Sequence, residues 1–235
     1  MSERIHKAFK PHHAKSGHMR ADTNSATSRG NFTSLFAFSQ GLIGVSTTVL
    51  VFTFLMPLAS LHFPLGEAQV ETLLANSLPQ FGIFVLSFVV IGSVWMNYHE
   101  IFNEIRRYPR VLVWLNFIFL MFVVFIPLAT VILGGSTNSW LAVVFYAAII
   151  SGVGFSLALI WLYASHNHRL IDPSMPASAV RSVTVERLFT PSIFLLSMII
   201  APYSPGLAEL FWLSAIGGLV IKLWLWRGPS HVDRR

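Results

Sequence analysis

The side chains of this sequence that could do chemistry are few and scattered. Ser39 and Gln40 open one apolar run, Asn97 and His99 lie near the end of a second, and Trp114 and Asn116 stand early in a third. All six are hydrogen-bonding groups, and a lone His at the end of an apolar run, as His99 is, reads as an interface residue before a ligand or catalyst. His166 and His168 share a loop without the carboxylate spacing of a zincin-type site. There is no cysteine, so disulfides and thiolate metal sites are excluded. His6, His12, His13 and His18 could hold a metal, but a basic tail of this composition is better read as solvated near anionic lipid. No metal, cofactor or enzymatic activity is expected.

The elements that position these groups are long apolar runs. The chain has 235 residues, 54% hydrophobic and 11% charged, with mean hydropathy +0.64. Soluble domains carry about 25% charged residues, so the chain reads as a membrane protein. A crossing needs about 20 residues for roughly 30 Å of hydrocarbon. Six runs qualify or nearly so: residues 38–57, 78–97, 111–133, 140–164, 189–201 and 207–226. The fifth is short and interrupted by Pro191. The net charge of +6 collects in the first tail, the second and fourth loops and the C-terminal end, whereas the other loops lack Lys and Arg. This alternation predicts an all-α integral membrane protein of six helices with both termini cytoplasmic. It also argues against nucleic-acid binding. Residues 1–32 are expected to be a disordered basic tail with no cleavable signal, 33–227 the six-helix domain and 228–235 a second basic tail.

This topology brings polar residues of three runs to one depth. Ser39 and Gln40, Asn97 and His99, and Trp114 and Asn116 would all lie near the inner face of the bilayer. Polar groups in hydrocarbon are costly unless paired, so the six are expected to form one hydrogen-bonded network. The first run is also two-faced. Phe38, Leu42, Val45, Val49, Phe52 and Met56 fall within about 80° on a helix turning about 100° per residue. Gly41 and Thr48 border the stripe on one side, Ser39, Ser46 and Thr53 on the other. Such a face is either a packing seam, with small residues letting backbones approach, or a pore wall with an apolar constriction. Ala148, Gly152 and Ser156, and likewise Gly217 and Gly218, read as helix contacts.

Three stretches place the sequence. FSQGLIGVSTTVLVFTFLMP, SFVVIGSVWMNYHEIF and VLVWLNFIFLMFVVFIPLATVILG resemble, in order, the first three helices of the transmembrane protein 175 family of potassium channels. The shared features are a Phe-Ser start to the first helix, Trp-x-Asn-x-His closing the second, and Leu-Asn with a late Pro in the third. The resemblance covers roughly residues 33–165. It implies a passive, potassium-permeable channel without a re-entrant filter loop. Four copies of the first helix would line the pore of a homotetramer in the bacterial plasma membrane. The bilayer, potassium and further copies of the chain are then the expected partners, with no other small-molecule substrate. Carried over by position, the constriction falls on Val45, Val49 and Phe52, and Thr48 supplies a pore-facing hydroxyl. The sequence departs from the family signature at two places: Gln40 stands where the signature has Asp, and Ser34 where it has Arg. The cation attraction of that Asp is expected to be absent.

Overall fold

A computed structural model describes residues 15–59, 65–105, 108–136 and 138–226, with side chains over 33–55, 65–105, 108–136 and 138–215. The chain divides into two units, 1–38 and 39–235. Among the described residues six α-helices follow one another: α1 Lys15–Ala59, α2 Glu67–Glu104, α3 Arg110–Gly134, α4 Trp140–Ser165, α5 Ala177–Ile200 and α6 Pro205–Trp226. A short 3-10 turn, His166–His168, follows α4, and the described residues contain no strand. Among the described residues five stretches are long and apolar enough to cross a membrane, namely Thr33–Leu55, Glu67–Glu104, Arg110–Gly134, Trp140–His168 and Ala177–Ile200. The sixth helix matches the expected run 207–226 to within two residues.

Three boundaries differ from the sequence reading. Helix α1 begins at Lys15, inside the segment 1–32 expected to lack order, while residues 1–14 lie outside the described residues. Residues 15–37 contain no proline, and a helix nucleated by the apolar run extends at one hydrogen bond per added residue. Helix α2 has 38 residues, roughly 57 Å at 1.5 Å each, far beyond the hydrocarbon thickness. Its first turns, EAQVETLLAN, precede the run 78–97 and fall in the expected loop, but Glu, Ala, Gln and Leu are strong helix formers. Gln69 closes that end by accepting from the Gly66 N–H at 2.9 Å. Helix α5 is likewise continuous over 24 residues, not the short interrupted run of 189–201. Pro191 is accommodated by its neighbours: its ring lies against Gly154, and its carbonyl accepts from the Ser151 hydroxyl at 3.2 Å.

Helix α4 is the axis of the packing. It is apolar on every face and more than half buried, as a helix surrounded by others should be. Ser139 caps its start, accepting from the Ala142 N–H at 3.4 Å. Two glycines, about 200° apart on the helix, let neighbours approach from opposite sides. A Cβ on Gly152 would lie 2.5 Å from the Phe122 ring of α3, and one on Gly154 would lie 2.6 Å from Pro191 of α5. The expected role of Gly152 as a helix contact is thus met, while the side-chain surroundings of Gly217 and Gly218 lie outside the described residues.

Aromatic clusters fill the rest. Tyr98 stacks between Phe102 at 4.2 Å and Phe119 at 5.3 Å, joining α2 to α3. Tyr146, Phe194 and Trp212 join α4, α5 and α6. The buried indoles are satisfied: Trp212 donates to Ser197 at 2.8 Å and Trp161 to Thr184 at 3.0 Å. At the α2–α3 turn the Tyr108 hydroxyl donates to the Ile105 carbonyl at 2.6 Å. Burial first, and then nearby Tyr98, push its phenol above the ordinary range, which keeps it a donor.

Candidate functional site

The second unit includes α1 from Ser39 onward, and here the helix is held mainly through side chains. Ser39 is completely buried and accepts from Asn116 Nδ2 of α3 at 2.9 Å. One residue later, Gln40 accepts from the indole N–H of Trp95 on α2. Near the other end, Phe54 stacks on Phe84 at 4.9 Å and meets Phe81 at 5.8 Å. Between these anchors Ile43, Ser46 and Leu50 are buried. They recur at three and four residues, so one face of the helix packs inward.

The opposite face is open. Val45 is 57% exposed, Val49 43% and Phe52 64%, and Gly41, Gly44 and Thr48 are exposed with them. Leu42 lies at the margin, and Met56 is outside the described side chains. A packing seam inside the protomer is therefore ruled out for Val45, Val49 and Phe52. Their face meets lipid, water or another subunit. The hydroxyls along the helix are satisfied locally: Ser46, Thr47 and Thr48 donate to carbonyls four residues back, each at 3.0 Å. With its proton committed to Gly44, Thr48 keeps lone pairs available on the exposed side.

The six residues expected to form one network divide into separate groups. Ser39 and Asn116 pair as expected. Trp114 does not join them: it is 70% exposed and meets Phe117 of its own helix. Two residues turn a helix by about 200°, so Trp114 and Asn116 cannot face the same neighbour. Asn97 turns instead toward α5, where its amide oxygen accepts from Arg187 Nη1, and Arg187 Nη2 pairs with Glu100 at 2.5 Å. His99 is exposed and stacks on Trp95 with ring centroids 5.8 Å apart. Glu100 and Arg187 are not among the six, and Trp95 enters the sequence reading only as the Trp of Trp-x-Asn-x-His. The i, i+4 spacing of Trp95 and His99 was a usable signal. Arg187 lies in the expected fourth loop, ahead of the run 189–201, whereas α5 begins at Ala177.

A second polar group lies deeper in the protomer. Thr130 of α3 donates to Ser87 of α2 at 2.8 Å, and Ser87 bonds the Tyr146 hydroxyl of α4 at 3.0 Å. These bonds end at Tyr146, whose ring lies among Phe194 and Trp212, and the group reads as structural. Among the described residues no three His, Cys, Asp or Glu side chains gather as a metal site would require.

These features define a multi-pass helical membrane protein whose first helix is anchored on one face and open on the other. Sequence comparison connects it to a family. The model described as "Endosomal/lysosomal potassium channel TMEM175" matches residues 34–127, spanning α1 to α3. A potassium channel of Streptomyces collinus is 27% identical over 176 residues, covering 73% of this chain and 80% of that protein. A potassium channel of Chamaesiphon minutus is 26% identical over 164 residues, covering 68% of this chain and 79% of that protein. The crystal structure of a lysosomal potassium-selective channel TMEM175 homolog from Chamaesiphon minutus superposes with TM-score 0.66 at 22% identity. That match covers 81% of this chain and 97% of the other, and it establishes a shared fold. Over α1 to α3 the chain is similar to the TMEM175 family, in line with the resemblance of its three motifs.

Proposed function

We propose that the chain is a passive, potassium-permeable cation channel. Four copies would assemble around an axis lined by the exposed face of α1, with both termini on the cytoplasmic side of a bacterial plasma membrane. The observation that carries this reading is the two-sidedness of α1. Bulky apolar side chains and Thr48 are left open, while Ser39, Ile43, Ser46 and Leu50 bind the helix to the rest of the protomer. The relatives named as potassium channels supply the ion. Val45, Val49 and Phe52 form the narrow levels, where closely spaced apolar side chains exclude water unless the wall widens. The Thr48 oxygen replaces part of the hydration shell of a dehydrating cation.

The competing readings are a proton or ion transporter and a non-conducting relative. Transporters concentrate ionisable groups near the midplane, and α1 from Thr33 to Leu55 contains none. Potassium flux into liposomes containing the purified protein, compared with valinomycin controls, separates the three. A channel gives passive flux that follows the potassium gradient without a coupled ion. Flux that requires a second gradient identifies a transporter, and no flux from an intact oligomer identifies a non-conducting protein.

A further inference from the structure

Between α2 and α5, over the surface of α4, lies a cavity of about 220 Å³. Its floor is Ile150, Gly154 and Leu157, and its walls are mainly apolar, with Val90 and Val94 on one side and Phe194 on the other. At one end stands Arg187, whose side chain is only 7% exposed. Its two terminal nitrogens are engaged by Asn97 and Glu100, but its Nε is buried without a hydrogen-bond partner. A buried donor of a charged group is costly to leave unpaired, so an acceptor from outside the protomer is called for. The Ser93 hydroxyl, also on the wall, already donates to the Val89 carbonyl at 2.7 Å.

We propose that this groove seats one acyl chain of a membrane phospholipid, with Arg187 Nε–H donating to the ester carbonyl of that chain. The occupant follows from the place and the chemistry. The opening lies between two membrane-spanning helices, so hydrocarbon chains are the molecules at hand. An apolar trough ending in a single unpaired donor matches a chain ending in a carbonyl. The charge balance favours a neutral acceptor over an anion: Glu100 already neutralises Arg187, and Glu186 adds a second carboxylate to the lining. Phospholipids of different headgroup should therefore bind alike. The seat would join α2 to α5 beside their polar latch, independently of whether the protein conducts.

The test is photolabelling of the full-length protein in phosphatidylcholine liposomes doped with a lipid carrying a diazirine on one acyl chain. Phosphatidylcholine and phosphatidylglycerol versions are run in parallel, and adducts are mapped by peptide. Adducts should concentrate on residues 89–94 and 189–194, equally for both headgroups. Arg187→Lys keeps the charge facing Glu100 but lacks the Nε donor, and should lower labelling there about tenfold. Val90→Trp should fill the groove and lower it at least as much while leaving adducts on exposed Leu159 and Leu195 unchanged. Even labelling of all lipid-facing positions overturns the proposal, as does labelling that Val90→Trp leaves intact. Wild-type labelling of Arg187→Lys, or labelling by phosphatidylglycerol alone, overturns the carbonyl contact.

Discussion

Asn116 Nδ2 donates to Ser39 Oγ across 77 residues of sequence, and both side chains are completely buried. This bond ties α1 to α3 where little water can substitute for either partner. Ser39→Ala should destabilise the protein by about 1–3 kcal/mol, because the Asn116 amide is left unpaired. Asn116→Leu should cost less in the Ser39→Ala background than alone. A double-mutant cycle on thermal unfolding should give a coupling of roughly 0.6–1.7 kcal/mol, the range for polar pairs within membranes. Additive losses would show that the two residues contribute separately and that the bond does not hold α1.

The contact surfaces of α4 make a second, independent prediction. Alanine at Gly154 would put its Cβ 2.6 Å from Pro191 and drive α5 away from α4. Overpacking of this kind costs about 1–3 kcal/mol, and Gly152→Ala against Phe122 should behave similarly. Gly44→Ala on α1 meets open space and should leave protomer stability unchanged or slightly raised by the better helix former. Melting temperatures of the three variants in one detergent check the ordering. Equal behaviour of Gly154→Ala and Gly44→Ala would contradict the close approach.

How much of this could be read from the sequence depended on whether the signal was local. Apolar length marked all six helices, of which five stretches among the described residues are long and apolar enough to cross a membrane, and the pairing of Ser39 with Asn116 follows from a topology that puts both at one depth. The stripe of α1 was visible as periodicity, but not whether the protomer covers it. That depends on where α2 and α3 lie. Trp114 was misplaced because depth was used without rotation, and two residues along a helix face opposite ways. Arg187 was missed for a different reason. Its role depends on α5 beginning at Ala177 and on Asn97 and Glu100 lying 90 and 87 residues away. Proline at 191 had suggested a break, whereas Gly154 and Ser151 of another helix make room for it.

Gln40 tests how far the family signature governs conduction. It accepts from the Trp95 indole with a neutral amide oxygen, so it provides the bond without a charge. Gln40→Asp would restore the carboxylate of the signature and raise the local concentration of cations at the mouth of the proposed pore. Potassium conductance should rise at low ionic strength. The increase should fade above about 1 M salt, where the screening length is roughly 3 Å. Conductance measured in planar bilayers over a range of potassium chloride concentrations checks this. A gain that persists undiminished at high salt would mean the substitution acts through structure and not through charge.

The pore wall itself is tested by truncation. Phe52 and Val49 are open to their surroundings in the protomer, so Phe52→Ala and Val49→Ala remove few internal contacts. Exposed positions of this kind usually change stability by no more than about 0.5 kcal/mol. In a channel lined by α1 the same truncations widen the narrowest levels and make them easier to wet, so potassium flux should rise or selectivity over sodium relax. The two readouts separate the alternatives because they move independently. If α1 lined no pore and its open face met only lipid, Phe52→Ala would leave both flux and protomer stability where they were. If that face were a seam between copies of the chain, the variant would lower oligomer stability without increasing flux. Flux assays paired with oligomer melting on the same preparation therefore decide whether the open face of α1 is a conducting wall.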